Sequence, residues 1–559
     1  MNKTLFGALA CASTVLLGAC QSTPPVSTTD FAKPTVNTNF IKAHMQFLAS
    51  DALEGRAPGT PGLEAASQYI AAEFMKYGVQ PAGENGTYEQ RITFRKANLV
   101  QESPTFTLEQ GDKTIEFTYP KDFITSQSMF EKDSAVSAEL VFVGHGMVAP
   151  DFGIDDYAGL DVNGKIIVRV PGRHASLPNE VGQHLGSSTE IRKNAVSRGA
   201  VGMITVTTPE YEERRPYARS LNSLHQERMD WVNPAGETSR SSKQIRGTAY
   251  LPLHSAQKLF ANAPVSLDDI YAQIAAKQAP KGFAMSAKAT LTKSSTHVDI
   301  TSPNVVGMVE GSDPVLKNEY VVFSAHHDHL GVRQSVEKDR INNGAMDNAT
   351  GTATLLETAR MFAALPVKPK RSVLFVAVTA EEKGLLGSDY FAKYPTVPAQ
   401  AMVANVNLDM PLLTFDFSDV IAFGAEHSSM QGYVADAIEE LGITLTPDPW
   451  PHMNLFTRSD HYSFVKQGIP SVFLMPGIKT HDKNVDSENI LMNFLKTHYH
   501  SPTDDMNQPF NWTAAFNFAH VNFNIGYEVA NADARPMWNA QSFFGQTFGK
   551  SYNLAKTEE

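Results

Sequence analysis

Five apolar runs in the second half of the chain, at 320–325, 372–378, 402–408, 420–423 and 471–474, are too short for buried helices and have the length of strands. Between them the spacing turns helical. Leu355, Leu356, Ala359, Phe362 and Ala363 make one face, stopped by Pro366; Val434, Ala437, Ile438 and Leu441 make another, ended by Gly442. Strand alternating with helix predicts an α/β domain with a mostly parallel, mixed sheet covered by helices. Such sheets bind ligands beyond the carboxyl ends of their strands, so the residues that follow each run matter most.

Upstream, Ile41, Met45 and Leu48 have helical spacing. After a Gly/Pro-punctuated loop at 55–62, a second helical face (Leu63, Ala66, Ile70, Phe74, Tyr77) ends at Gly78. Arg56, in that loop, reads as a surface residue fixing its own turn rather than as a substrate ligand. From about residue 97 short alternating strands take over, at 140–143, 166–170 and 201–206, with a helix at 190–198. His145, His174, His184, His225 and His254 are scattered through this section and read as ordinary loop or core histidines. From about 285 the chain returns to α/β alternation.

At 559 residues the chain exceeds one ordinary core. Its first 19 residues, with Lys3 ahead of an apolar stretch at 5–17, read as an export signal. Leu17-Gly18-Ala19-Cys20 resembles a bacterial lipobox, which implies lipid on Cys20; the polar 20–37 segment behind it reads as a flexible tether. Gln21 rather than Asp after that cysteine implies the outer membrane as destination. The two cysteines of the sequence are Cys11 and Cys20, both in this leader region, so any metal in the body must be held by His, Asp and Glu. The net charge of −12 and the lack of a basic stripe argue against nucleic acid as a partner.

The chemistry-bearing blocks sit where the apolar runs stop. His326-His327-Asp328-His329 follows the first run, and on a strand period His326 and Asp328 share a side, so Asp328 is expected to hold the second ring nitrogen of a metal-binding His326. Asp347, in a turn before a helix, can bridge two cations. Glu381 and Glu382 can divide into a free base and a ligand. Asp409 directly follows the 402–408 run, and Tyr499-His500 places an imidazole beside a phenol. His327 and His329 are expected to line the rim, with a substrate contact as a lesser reading for His329, and His481, Asp482 and His498 to be loop residues. There is no Gly-x-Ser-x-Gly elbow and no His-Glu-x-x-His pair, and Gly545–Ser551 is one residue short of a phosphate loop.

Together these blocks resemble the co-catalytic di-zinc aminopeptidases, peptidase family M28, which includes glutamate carboxypeptidase and the transferrin receptor ectodomain. The resemblance spans about 40–536. It implies the zinc exopeptidase fold, with peptidase segments at 38–96 and 291–540, an interruption at 97–290 and a tail at 541–559. The turns at Asp155-Asp156-Tyr157 and Asn163-Gly164-Lys165, with Gly199-Ala200-Val201-Gly202, make the interruption resemble a small β-rich protease-associated domain. The resemblance further implies two zinc ions, replaceable by cobalt or manganese. His326 and Asp409 would bind one, Glu382 and His500 the other, with Asp347 bridging; Glu381 would be the general base and Tyr499 an oxyanion donor. The peptide after Asp347 would be cis, and Met346 stands where the family often has an acid. The segment 458–462 would shape the site wall, with a further metal at Asp460 and His461 as a lesser reading. The implied activity is removal of N-terminal residues from peptides. The alternatives are a receptor-like ectodomain without catalysis and a single-zinc glutaminyl cyclase.

Overall fold

The computed structural model describes Met1 and residues 32–333 and 338–552. The leader and Cys20 lie outside the described residues, as does most of the tether. All elements below belong to the unit Pro34–Glu559. Among the described residues no helix is long and apolar enough to cross a membrane.

Helix α1 (Thr38–Leu48) is capped by the Asn37 side chain, and α2 (Pro61–Tyr77) opens on Thr60 and closes on Gly78 in the left-handed conformation. Strands β1 (Glu89–Leu99), β2 (Thr105–Gln110) and β3 (Asp133–Phe142) alternate buried and exposed positions, the signature of sheets with one solvated face. Then come β4 (Ile166–Arg169), α3 (Ser188–Ser197), β5 (Gly202–Val206) and β6 (Gly247–Leu251). The order β6-β5-β4-β3 is parallel throughout. This middle region therefore has α/β character of its own. Its core includes Phe106, Leu108, Phe142, Ile166, Val168, Ile204 and Leu251.

The next strand, β7 (Phe283–Val309), is 27 residues long. That is far beyond the usual 3–10. Its first part pairs antiparallel with β2 and β3, its middle with β1, and its end with the second-half sheet. There β8 (Tyr320–His326), α4 (Thr350–Ala364), β9 (Ser372–Val378), the helix Leu386–Lys393 and β10 (Met402–Asn407) follow in turn. The chain then adds β11 (Asp419–Phe423), α5 (Met430–Glu439), β12 (Ser471–Pro476) and α6 (Trp512–Asn531). Across this sheet the order is β7-β9-β8-β10-β12-β11; β9, β8, β10 and β12 run parallel, and β7 and β11 antiparallel to their neighbours. Every residue of β9, β10, β11 and β12 is buried, which is why their sequences read as continuous apolar runs rather than alternating ones. Helix α6 lies so close to β8 that a Cβ on Gly526 would stand 2.2 Å from the Phe323 ring.

On β7 one inward position carries a charge. Lys293 is buried beside Ala289 and Leu291, and its Nζ donates to the Ser126 carbonyl at 2.5 Å and lies 3.3 Å from Thr248 Oγ1. Burial, followed by repulsion from Arg228 and Arg192, pulls its pKa down to about 7. The unfolded chain keeps the proton that the folded one gives up, so this group makes stability climb from about pH 7 to pH 10.5. Lys293→Met should abolish that climb and raise stability at pH 7, as urea melts at the two ends of the window would show.

Candidate metal centre

Most of the site residues come from the carboxyl end of a strand or the loop just beyond it; Asp347 and His500 lie next to helices. His326 ends β8. Asp347 lies in the turn Ala345–Ala349 that leads into α4, and its peptide bond to Asn348 is cis. Glu381 and Glu382 follow β9, Asp409 follows β10, and His500 follows the helix Ser487–Thr497.

The structure brings all five expected ligands together. His326 Nε2 lies 3.0 Å from Asp409 Oδ1 and 3.2 Å from Asp347 Oδ1. The other Asp347 oxygen is 3.3 Å from His500 Nε2, which stands 3.1 Å from Glu382 Oε2. Asp347 thus faces two donor groups, one oxygen to each. His329, expected at the rim, is instead wholly buried, with Nδ1 2.6 Å from Glu382 Oε1. His326, Asp347 and Asp409 form one cluster with the spacing of a metal site, and His329, Asp347 and Glu382 a second.

Burial and partners divide the titrating groups. Burial alone would raise Asp347, but His326 and His500 hold it well below the carboxylate range. Burial and Asp347 likewise push Glu382 up, but His329 and His500 outweigh them and hold it at about 2. Glu381 is different: burial, reinforced by Glu382, Asp409 and Asp460 against the pull of His326, drives its pKa well up. Two adjacent glutamates therefore take opposite protonation behaviour, the separation that marks acid/base and ligand roles. Burial would lower His500, but Asp347 and Glu382 raise it to about 10. Burial, then the charges of Asp347, Glu382 and Glu381, keep the Tyr499 phenol protonated.

Several supports were not legible as such. Asp504 accepts the amides of Met346 at 2.8 Å and Asp347 at 3.0 Å, fixing the bridging turn. Ser459 donates to the free Asp409 oxygen at 2.5 Å. Asn348 reaches the Leu408 carbonyl at 3.0 Å and accepts from Gly351 and Met410, lacing the turn to the end of β10. Arg56 is not on the surface: it is buried beneath the site and donates to the carbonyls of Leu48, His327, Asn343 and Gly344. Burial lowers its pKa to about 10, while Asp328, Asp504, Asp347 and Glu382 favour its charge.

Two more expectations need correction. The Asp328 carboxylate does not hold His326: Nδ1 is 3.2 Å from the Asp328 main-chain oxygen and 3.9 Å from the nearer carboxylate oxygen. That carboxylate instead accepts the amides of Glu381 at 3.0 Å and Glu382 at 3.4 Å. Asp328 anchors the two-glutamate turn, because its strand has ended and the two-residue period no longer aims its side chain. His327 points away from the site, with Nε2 2.8 Å from Ser67 Oγ on α2 and Nδ1 2.9 Å from the Val378 carbonyl. Asp460 and His461 are buried nearby but join no donor cluster among the described residues.

A cavity opens onto His326, Asp347, Glu381, Asp409 and Tyr499, walled on its other side by Met410, Leu455, Arg458, Phe473 and Met475. The donors fit a metal on two counts. They are nitrogen and oxygen only, suited to zinc, cobalt or manganese. Moreover, His329 Nδ1 and Glu382 Oε1 are buried without hydrogen-bond partners, leaving lone pairs that a cation would satisfy.

Fold and donors together define an α/β protein built to hold metal through imidazole and carboxylate. Residues 304–525 match the profile of peptidase family M28, and this segment belongs to that family. Aminopeptidase NAALADL1 of Mus musculus is 33% identical over 119 residues, 20% of this chain and 14% of that protein. Aminopeptidase YwaD of Bacillus subtilis is 31% identical over 112 residues, 20% of this chain and 22% of that protein. The chain thus matches less than a quarter of the length of either relative. A solved aminopeptidase from Aneurinibacillus sp. strain AM-1 is similar at 20% identity and a TM-score of 0.49, covering 89% of this chain and 95% of that one.

Asp504→Ala should leave two buried amides unsatisfied at a cost of about 2–5 kcal/mol. A denaturant midpoint lowered to match, with less metal retained after dialysis, would be the expected result.

Proposed function

We propose that the chain is a zinc-dependent exopeptidase, an aminopeptidase that removes N-terminal residues from peptides. The observation that carries this reading is the pair of donor clusters sharing Asp347, with a second, non-ligating carboxyl, Glu381, facing the same cavity. His326 and Asp409 would hold one zinc, Glu382 and His500 the other, and Asp347 both. Zinc bound there supplies Lewis acidity toward the scissile carbonyl and lowers the pKa of water.

The protein's own groups do the rest. Glu381, its pKa raised by burial, is placed to take a proton from the attacking water and return it to the leaving amine. Tyr499 stays protonated and lines the cavity, so it can donate to the oxygen on which negative charge develops. Met410, Leu455, Phe473 and Met475 offer an apolar wall, which favours an uncharged first side chain. The 97–290 region is proposed as a protease-associated-like insertion. Export and lipidation at Cys20 would tether the enzyme to the cell envelope, and acyl labelling lost in Cys20→Ser tests that placement.

Glu381→Gln should keep its metal and lose about 10²–10⁴-fold in kcat; undiminished hydrolysis of aminoacyl amides by that variant would refute the base. Asp409→Asn should release one metal on mild chelation and retain the other, as elemental analysis before and after would reveal.

A further inference from the structure

His329 has no part in the ligand set that the sequence resemblance implies, yet its surroundings are those of a ligand. Its side chain is fully buried, and neither ring nitrogen has a hydrogen-bond partner. A buried imidazole in that condition costs free energy unless something outside the protein satisfies it. Nδ1 comes within 2.6 Å of Glu382 Oε1, but off the hydrogen-bond direction, so that oxygen too is left without a partner. Two donors that face each other without a proton properly placed between them match a cation site better than a hydrogen bond.

The ring is also held in place. The His329 amide donates to the Arg56 carbonyl at 3.1 Å. Gly344, with φ 59°, lies flat against the imidazole; a Cβ there would stand 2.6 Å from His329 Cγ. His329 and His500 sit edge to face, 6.0 Å apart, and approach Glu382 on different oxygens, Oε1 and Oε2 respectively.

We propose that His329 is a sixth metal ligand and that the two metal positions are unequal. This rests on the two-metal reading above. His329 groups with Asp347 and Glu382, and His500 Nε2, 3.1 Å from Glu382 and 3.3 Å from Asp347, would bring the donors at that position to four; His326, Asp347 and Asp409 supply three to the other. Four protein ligands close a tetrahedral zinc site, whereas three leave room for solvent or substrate. The cavity agrees with that division in being lined by His326, Asp347, Asp409 and Glu381, while the His329 and Glu382 side chains are buried away from it. The four-donor position is the retained one, and the three-donor position is where a substrate meets metal.

The test uses the full chain loaded with zinc. X-ray absorption on the wild-type protein should count three imidazoles per metal pair, and graded dialysis against a chelator should strip the metals in two separate steps. In His329→Ala, and in His329→Gln as a version that preserves more of the packing, the count should fall to two. The tighter metal should then weaken on the order of 10²-fold, measured by competition with a zinc indicator. Two imidazoles per pair in the wild type, or variants whose count and tight-metal affinity are unchanged, would overturn the proposal whatever happens to activity. Wild-type protein that binds no zinc at all would instead overturn the two-metal reading on which it rests.

Discussion

Asp328, Asp347, Glu381, Glu382, Asp409, Asp460 and Asp504 are all withdrawn from solvent around one cavity, and the second half of the fold is arranged to make that tolerable. Like charges in a poorly hydrated volume either lose their charge or find compensation. Both occur here. Glu381, Asp460, Asp504 and Asp328 are pushed toward neutrality by burial, the last three to about 7, 7 and 6. Asp347 and Glu382 stay ionised because imidazoles stand against them, and Arg56 adds a fixed cation below. Main-chain amides at the ends of β9 and at the start of the Ala345–Ala349 turn supply the remaining donors. A metal taking up this site would replace protons as the counter-charge, not add charge to a neutral pocket.

The sequence shows where the strands stop, and that is most of what locates the ligands. His326, Glu382 and Asp409 converge because a parallel sheet gathers the ends of its strands on one side, and Asp347 and His500 join them from loops beside helices. The carboxyl ends of the five predicted second-half strands lie within two residues of those observed. What stayed hidden depends on partners far along the chain. Arg56 serves carbonyls near residue 343, and Asp504 serves amides at 346 and 347; neither carries a local pattern that says so. Asp328 departs from expectation because β8 ends at His326, beyond which the two-residue period no longer aims a side chain, whereas nothing local in the sequence marks His329 as buried. The long β7 was hidden because its two halves obey different rules, alternating in the middle region and nearly continuously buried in its last seven residues.

The middle region is more than an attachment to the sheet. Arg240 donates to the carbonyls of Met229 and Lys383, so a residue of that region holds the turn that carries both glutamates. Trp231 and Ser239 both donate to Asp389 at 2.9 and 2.6 Å, in the helix that follows the same turn. The spacing of base and ligand is thus set partly by side chains more than 140 positions upstream.

The continuity of β7 has a mechanical meaning. A hinged cover needs a soft joint, but here a single strand carries backbone pairing, with successive partners, from the middle region into the sheet that bears the site. Swinging either half would require tearing rungs from β1. Relative movement of the two halves is therefore opposed by the backbone pairing along β7.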